Sequence, residues 1–181
     1  MSDPWGPGVV ETYTGNQFDV LNPDPGDVDL RDVAAGLAHT CRFGGQCQHF
    51  YSVAQHSLHV SHELPDPRLQ LFGLFHDAGE AYVGDVPRPI KARLGEFERI
   101  EERILDAVWE AFELDPPTDD EWERVMAADD RLLAYEATSL LEDGEWAGHS
   151  PDLGYTLRAD SIDTVRDQFH SRSELLLRQV Q

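Results

Sequence analysis

Apolar positions along the chain change their spacing several times, and each change marks an expected element. From Val9 to Asn22 they form two short alternating runs either side of Gly15-Asn16, a dipeptide that readily supplies positive φ for a tight turn, so a small β-hairpin is predicted. Pro23-Asp24-Pro25-Gly26 then breaks the pattern, and helical spacing begins. Asp27 or Asp29 can cap a helix that turns Leu30, Val33, Ala34, Leu37 and Ala38 inward and ends near His39. The Gly-rich stretch Cys41–Phe50 predicts a loop. Ser52 is the expected N-cap of a helix reaching about Leu64, with Val53, His56 and Val60 on its inner side and Leu58 half a turn round. Asp66 caps the next helix and Pro67 opens it; its Leu69, Leu71, Phe72, Leu74 and Phe75 form one of the most apolar runs in the chain, ending at His76-Asp77. Two prolines one residue apart make Asp85–Lys91 a constrained loop with room for a short turn at Ile90. Residues 95–113 are strongly amphipathic, with Phe97, Ile100, Ile104, Leu105, Val108 and Phe112 on the inner face. A further helix runs from a cap at Thr118 or Asp119 to Leu141, residues 143–160 are loop-like, and a last helix starts at about Ser161. The fold expected is mainly α: a helical bundle with a small N-terminal β-hairpin.

A chain of 181 residues with no shift in composition is expected to form one domain over 1–181. Within it, 1–26 hold the hairpin and an N-terminal extension, 27–142 the helical core, and 143–181 the loop and C-terminal helix. No run of about 18 apolar residues occurs, and Met1–Gly6 lacks a basic segment followed by an apolar one, so a soluble cytoplasmic protein without a membrane partner is expected. The two cysteines, Cys41 and Cys47, make a poor staple for a chain of this size and are expected to be free thiols. Charge narrows the partners further. The net charge is −21, from 35 acidic against 14 basic residues, and Lys91 is the sole lysine. Such a surface repels nucleic-acid backbones, which excludes duplex binding. Acid this dense suits a salt-rich cytoplasm, where the Debye length shrinks to a few ångströms and self-repulsion is tolerated.

Chemistry concentrates around His76-Asp77-Ala78-Gly79-Glu80 and Asp85, where charged groups sit among apolar and small neighbours and need partners. His56, His76, Asp77 and one of Asp129 and Asp130 can gather on one ion. Two imidazoles and two carboxylates suit Mn²⁺, Co²⁺, Zn²⁺, Fe²⁺ or Ni²⁺ better than calcium or a thiolate-loving ion. His56, His59 and His62 recur every three residues, which drifts by about 60° per step around a helix. They cannot share one metal, and His59 and His62 are expected to be structural or exposed.

The order His…His-Asp…Asp on consecutive helices resembles the HD-domain metal-dependent phosphohydrolases. The words Cys-Arg-Phe-Gly-Gly, Phe-Tyr-Ser-Val-Ala-Gln-His, His-Asp-Ala-Gly-Glu-Ala-Tyr, Gly-Asp-Val-Pro-Arg-Pro-Ile-Lys and Ala-Asp-Asp-Arg-Leu-Leu-Ala-Tyr-Glu look like the subgroup similar to 5′-deoxyribonucleotidases, over roughly residues 10 to 142. The resemblance implies an HD-type bundle whose metal ligands are His56, His76, Asp77 and Asp129, with Asp130 the alternative to Asp129. It implies Glu80 as the acid/base carboxylate, Asp85 as a second active-site acid, and Arg42 as a phosphate-binding arginine, with Lys91 a further candidate for phosphate or sugar. Glu80 lies four residues after His76, above the same face if the helical turn continues. Two-metal relatives add histidines between the His-Asp pair and the last aspartate, and residues 78–128 contain none, so one divalent ion is expected. The expected activity is metal-assisted removal of phosphate from a nucleotide, a (deoxy)ribonucleoside 5′-monophosphate before a triphosphate or guanosine polyphosphate. A non-catalytic nucleotide-binding domain is the alternative outside enzymes. Trp109, Trp122 and Trp146 are expected at the surface, leaving room for a homodimer.

Overall fold

Five of the helices begin at a residue whose side chain closes the first turn. The structure is a computed structural model that describes residues 6–181; Met1–Trp5, and with them most of the segment expected to carry no leader, lie outside the described residues. Strands β1 (Val9–Glu11) and β2 (Gln17–Asp19) pair antiparallel, Val10 opposite Phe18, around a turn in which Gly15 takes φ 84°. Thr14 donates from its backbone N–H and its hydroxyl to buried Asp32, at 2.7 and 2.9 Å. These bonds fasten the hairpin to α1 (Leu30–His39), which Asp29 caps.

Helix α2 (Val53–Glu63) opens on a capping box in which Ser52 and Gln55 satisfy each other's backbone N–H. Asp66 caps α3 (Pro67–Phe75), with Pro67 at its first position. The chain then turns tightly through His76–Gly79 into the short α4 (Glu80–Val83), and Pro87 precedes the equally short α5 (Arg88–Lys91). Two long helices follow: α6 (Gly95–Ala111) and α7 (Asp119–Leu140), the latter capped by a Thr118–Glu121 box. After a loop with one 3-10 turn, Ser161 caps α8 (Ile162–Val180). The architecture is mainly α with a two-stranded N-terminal hairpin, as the hydrophobic spacing predicts.

Helix α3 is apolar almost all round and therefore has to be surrounded. Leu69, Leu71, Phe72, Leu74 and Phe75 are buried in a core that also takes Phe18, Val33, Leu37, Val60, Ile104, Val108, Leu132, Phe169 and Leu176. The C-terminal helix thus shares the core of residues 27–142 rather than lying outside it. Trp109 departs from expectation: it is 3% exposed and packs edge-on to Phe72 at 5.4 Å, so only Trp146 of the three tryptophans is open to solvent, with Trp122 half-buried. The error has a plain cause, because Trp109 follows Val108 on the helix and the inner face of α6 is wider than the six residues assigned to it. Close helix approach needs small residues. A Cβ on Gly36 of α1 would collide with the Ala81 carbonyl oxygen and stand 2.8 Å from Ala81 Cα, so α4 can lie directly on α1 only because Gly36 has no side chain.

Candidate metal centre

Three elements bring the central groups together. His56 projects inward from the middle of α2, fully buried; His76 and Asp77 sit in the tight turn that ends α3; Asp129 reaches across from α7. Gly73 permits the approach of α2 to α3, since a Cβ there would stand 2.5 Å from Leu64 and 3.2 Å from Val60. The imidazoles meet Nε2 to Nε2 at 3.3 Å. Asp77 Oδ2 lies 3.3 Å from His76 Nε2 and 3.7 Å from His56 Nε2, and Asp129 Oδ1 lies 3.0 and 3.9 Å from His56 and His76 Nε2. One donor atom from each of His56, His76 and Asp77 falls within 4.8 Å of the others, the spread of ligands on a single ion.

The opposite ring nitrogens are both occupied. His76 Nδ1 is 2.8 Å from the Gly73 carbonyl oxygen, which can only accept, so Nδ1 carries the proton and Nε2 the lone pair. His56 Nδ1 is 2.7 Å from Oε1 of Glu136, a carboxylate with no exposure, which fixes the same tautomer. In the neutral rings two Nε2 lone pairs face each other between two carboxylates, the place where His56 otherwise holds a second proton against Asp129. That arrangement favours a positive charge at its centre, and His56, His76 and Asp77 could hold a metal ion there, with Asp129 Oδ1 3.0 Å from His56 beside them. His56 carries the same imprint: burial and the Arg42 charge lower its pKa, but the carboxylates of Glu136 and Asp129 outweigh them and raise it from 6.5 to about 9. Asp129 moves the other way; burial would raise its pKa, but His56, His76 and Arg42 hold it well below the usual carboxylate range.

Helical phase separates the two adjacent acids. Asp129 and Glu136 are seven residues apart on α7, nearly two turns, so both face α2. Asp130, one residue on, points outward and is exposed, paired with Arg88 at 2.6 Å. Glu136 was given no role by the sequence, and its signal was thin: a second carboxylate, seven residues after Asp129, in an otherwise apolar stripe of α7. It orients His56, and its other oxygen accepts from Arg42 Nη2 at 3.1 Å.

Arg42 is buried and sits at the centre, with Nη1 3.7 Å from Asp77 Oδ2. Its backbone is held by Arg42 N–H to Tyr51 C=O at 2.9 Å, beside the Cys41–Ser52 bridge. Phe43 and Gly44 then take φ of 55° and 59°, a left-handed step that reverses the chain and that a phenylalanine adopts only at a cost of about 1 kcal/mol. Cys41 and Cys47 are free thiols, as expected, and burial followed by the neighbouring Cys41 pushes Cys47 up to about 12.

Glu80 begins α4. The helix does not continue through His76–Gly79, so Glu80 reaches the centre through tight turns rather than by stacking one helical turn above His76. One of its oxygens takes Lys91 Nζ at 3.2 Å, and the other is buried without a partner. Burial, with Asp77 and Asp85 beside it, raises its pKa well above the ordinary carboxyl value. Asp85, half-buried in the loop before α5, is raised too, chiefly by burial. Two carboxyls whose pKa is raised by burial and by neighbouring carboxylates suit the donation and acceptance of protons. Lys91 is shared between Glu80 and Glu101, at 2.8 Å from the latter, so its ammonium serves those carboxylates. A cleft of about 260 Å³ adjoins the centre, lined by His76, Asp77, Glu80, Lys91, Glu101 and Trp122 among others. His59 stays outside the centre, stacked on Tyr155 at 4.8 Å, and His62 is exposed.

Two bacterial proteins are similar to this chain. The uncharacterized protein YfdR of Escherichia coli K12 is 38% identical over 140 residues, covering 76% of this chain and 75% of that protein. The uncharacterized protein RCAP_rcc00048 of Rhodobacter capsulatus is 32% identical over 183 residues, covering 91% of this chain and 93% of that protein. No family model matches the sequence.

Proposed function

The chain belongs to one family with YfdR of Escherichia coli and RCAP_rcc00048 of Rhodobacter capsulatus, and for it we propose a phosphohydrolase of HD type that works with one divalent ion and releases phosphate from a nucleotide. The observation that carries the proposal is the pair of facing Nε2 atoms 3.3 Å apart, each with its Nδ1 already committed, between Asp77 and Asp129. His56, His76, Asp77 and Asp129 would hold the ion. When bound, it supplies Lewis acidity toward a phosphate oxygen and lowers the pKa of water. Glu80, whose buried free oxygen and raised pKa suit proton transfer, acts as the acid/base group, with Asp85 as a second acid that orients the nucleophile. Arg42 supplies positive charge close to Asp77 and keeps Glu136 and His56 in place. The substrate is a (deoxy)ribonucleoside 5′-monophosphate, and the place of action the cytoplasm. No helix among the described residues is long and apolar enough to cross a membrane.

The test is phosphate release from a panel of nucleoside mono- and triphosphates and guanosine polyphosphates with Mn²⁺, Co²⁺, Zn²⁺ and Ni²⁺ in molar salt. The wild type should release phosphate from monophosphates, Asp77→Ala should abolish it, and Glu80→Gln should lower kcat by about 10²-fold or more. A wild type that holds the ion but hydrolyses nothing would favour a nucleotide-binding domain without catalysis; full activity in Glu80→Gln would remove Glu80 from its role.

A further inference from the structure

We propose that Arg88 is the anion clamp of this centre: its guanidinium meets the phosphate group presented at the mouth of the site. This rests on the phosphohydrolase proposal above. Arg88 is exposed at the first position of α5, and its two terminal nitrogens are split between neighbours, Nη2 on Asp129 Oδ2 and Nη1 on Asp130 Oδ1 at 2.6 Å. The other oxygen of Asp129 faces His56 Nε2 at 3.0 Å. A single carboxylate therefore separates the guanidinium from the place of the ion, which puts Arg88 beside any phosphate oxygen bound there.

The other cations near the centre are committed elsewhere. Arg42 is buried against Glu136 and Asp77, and Lys91 is half-buried between Glu80 and Glu101, so both neutralise carboxylates of the framework. The partners of Arg88 hold it differently. Asp130 is at the surface, where an ion pair contributes little against water. Asp129, neutralised by an ion on its inner oxygen, loses most of its pull on the guanidinium. Arg88 is thus held in place by carboxylates that release it when the centre is loaded, and its planar fork matches two phosphate oxygens. Its backbone is fixed beforehand: Pro87 and Pro89 flank it, and the N–H groups of Ile90 and Lys91 both donate to the Pro87 carbonyl, at 2.8 and 3.0 Å. Little ordering remains to oppose anion binding.

The experiment is calorimetric titration of the full chain with MnCl₂, and then of the manganese-loaded protein with inorganic phosphate, for the wild type, Arg88→Ala and Arg88→Lys. Arg88→Ala should weaken phosphate binding about tenfold or more, Arg88→Lys should fall between it and the wild type, and manganese should bind both variants at least as tightly as the wild type, because a nearby positive charge has been removed or made more mobile. Unchanged phosphate affinity in Arg88→Ala overturns the clamp while leaving the metal centre standing. Manganese affinity that drops in parallel with phosphate affinity also overturns it, since Arg88 would then only support Asp129. A wild type that binds no manganese overturns the centre itself and the clamp with it.

Discussion

His56 joins the two halves of the centre, because its Nε2 faces His76, Asp77 and Asp129 while its Nδ1 donates to buried Glu136. Hydrogen-bonded partners of metal-bound histidines fix the tautomer and raise ligand basicity, so Glu136→Gln should weaken divalent-ion affinity by about 10- to 100-fold in a chelator competition while the far-ultraviolet circular dichroism stays unchanged. Affinity equal to the wild type would show that Glu136 serves only Arg42. The proton on His56 gives a second prediction. Its pKa in the metal-free fold lies above the ordinary 6.5, at about 9, so the charged form stabilises the fold fully below 6.5 and that contribution is lost as pH rises through 9. The melting temperature of the metal-free protein should therefore decline across this window. Ion binding displaces the same proton, so apparent metal affinity should increase over the same range. Calorimetric scans at pH 6.5 and 9, with and without Mn²⁺, check both directions; a metal-free profile flat across the window would contradict them.

At the scale of elements, α1 and α4 meet at Gly36, and the position of Glu80 depends on that contact. Gly36→Ala would gain about 1 kcal/mol of helix propensity, but its methyl group meets the backbone of Ala81, which cannot move aside as a side-chain end can. A net destabilisation of about 1–3 kcal/mol is expected in urea unfolding, together with reduced activity from the displaced Glu80. A stabilised variant would show that α4 yields. The helix starts were legible to within a residue or two because capping is local: Asp29, Ser52, Asp66, Thr118 and Ser161 each bond backbone groups two or three residues on, so sequence alone named Ser52 and Asp66 and narrowed two others to Asp27 or Asp29 and Thr118 or Asp119. His56, His76, Asp77 and the Asp129-Asp130 pair could be picked out by residue type and order. Glu136 and Arg88 could not, because their meaning comes from contacts with His56 and Asp129 across 80 and 41 residues of chain. The choice between Asp129 and Asp130 depended on the rotational phase of α7, which its packing on α2 fixes. Trp109 was misplaced for a similar reason: periodicity gives the direction of an apolar face better than its width.

For the whole molecule, net charge governs the response to salt. A net charge of −21 on 181 residues stores self-repulsion that salt relieves, and the 40% of hydrophobic residues form a core with α3 at its centre. The melting temperature should therefore rise from low to molar NaCl; equal stability in both would separate the acidic surface from any adaptation to salt. The same acidity bears on the cleft beside the centre, where Glu101 and its neighbours repel anions, so a phosphate has to be drawn in by the ion and the arginines close to it. All of this depends on a cation between His56 and His76. Equilibrium dialysis of the full chain against Mn²⁺ and Zn²⁺ in high salt, followed by metal analysis, tests that claim most directly. One equivalent per chain is predicted for the wild type, with affinity reduced at least about 10²-fold in His76→Ala and His56→Ala variants that keep the wild-type circular dichroism. The absence of stoichiometric metal in the wild type, or undiminished binding in both histidine variants, would contradict it.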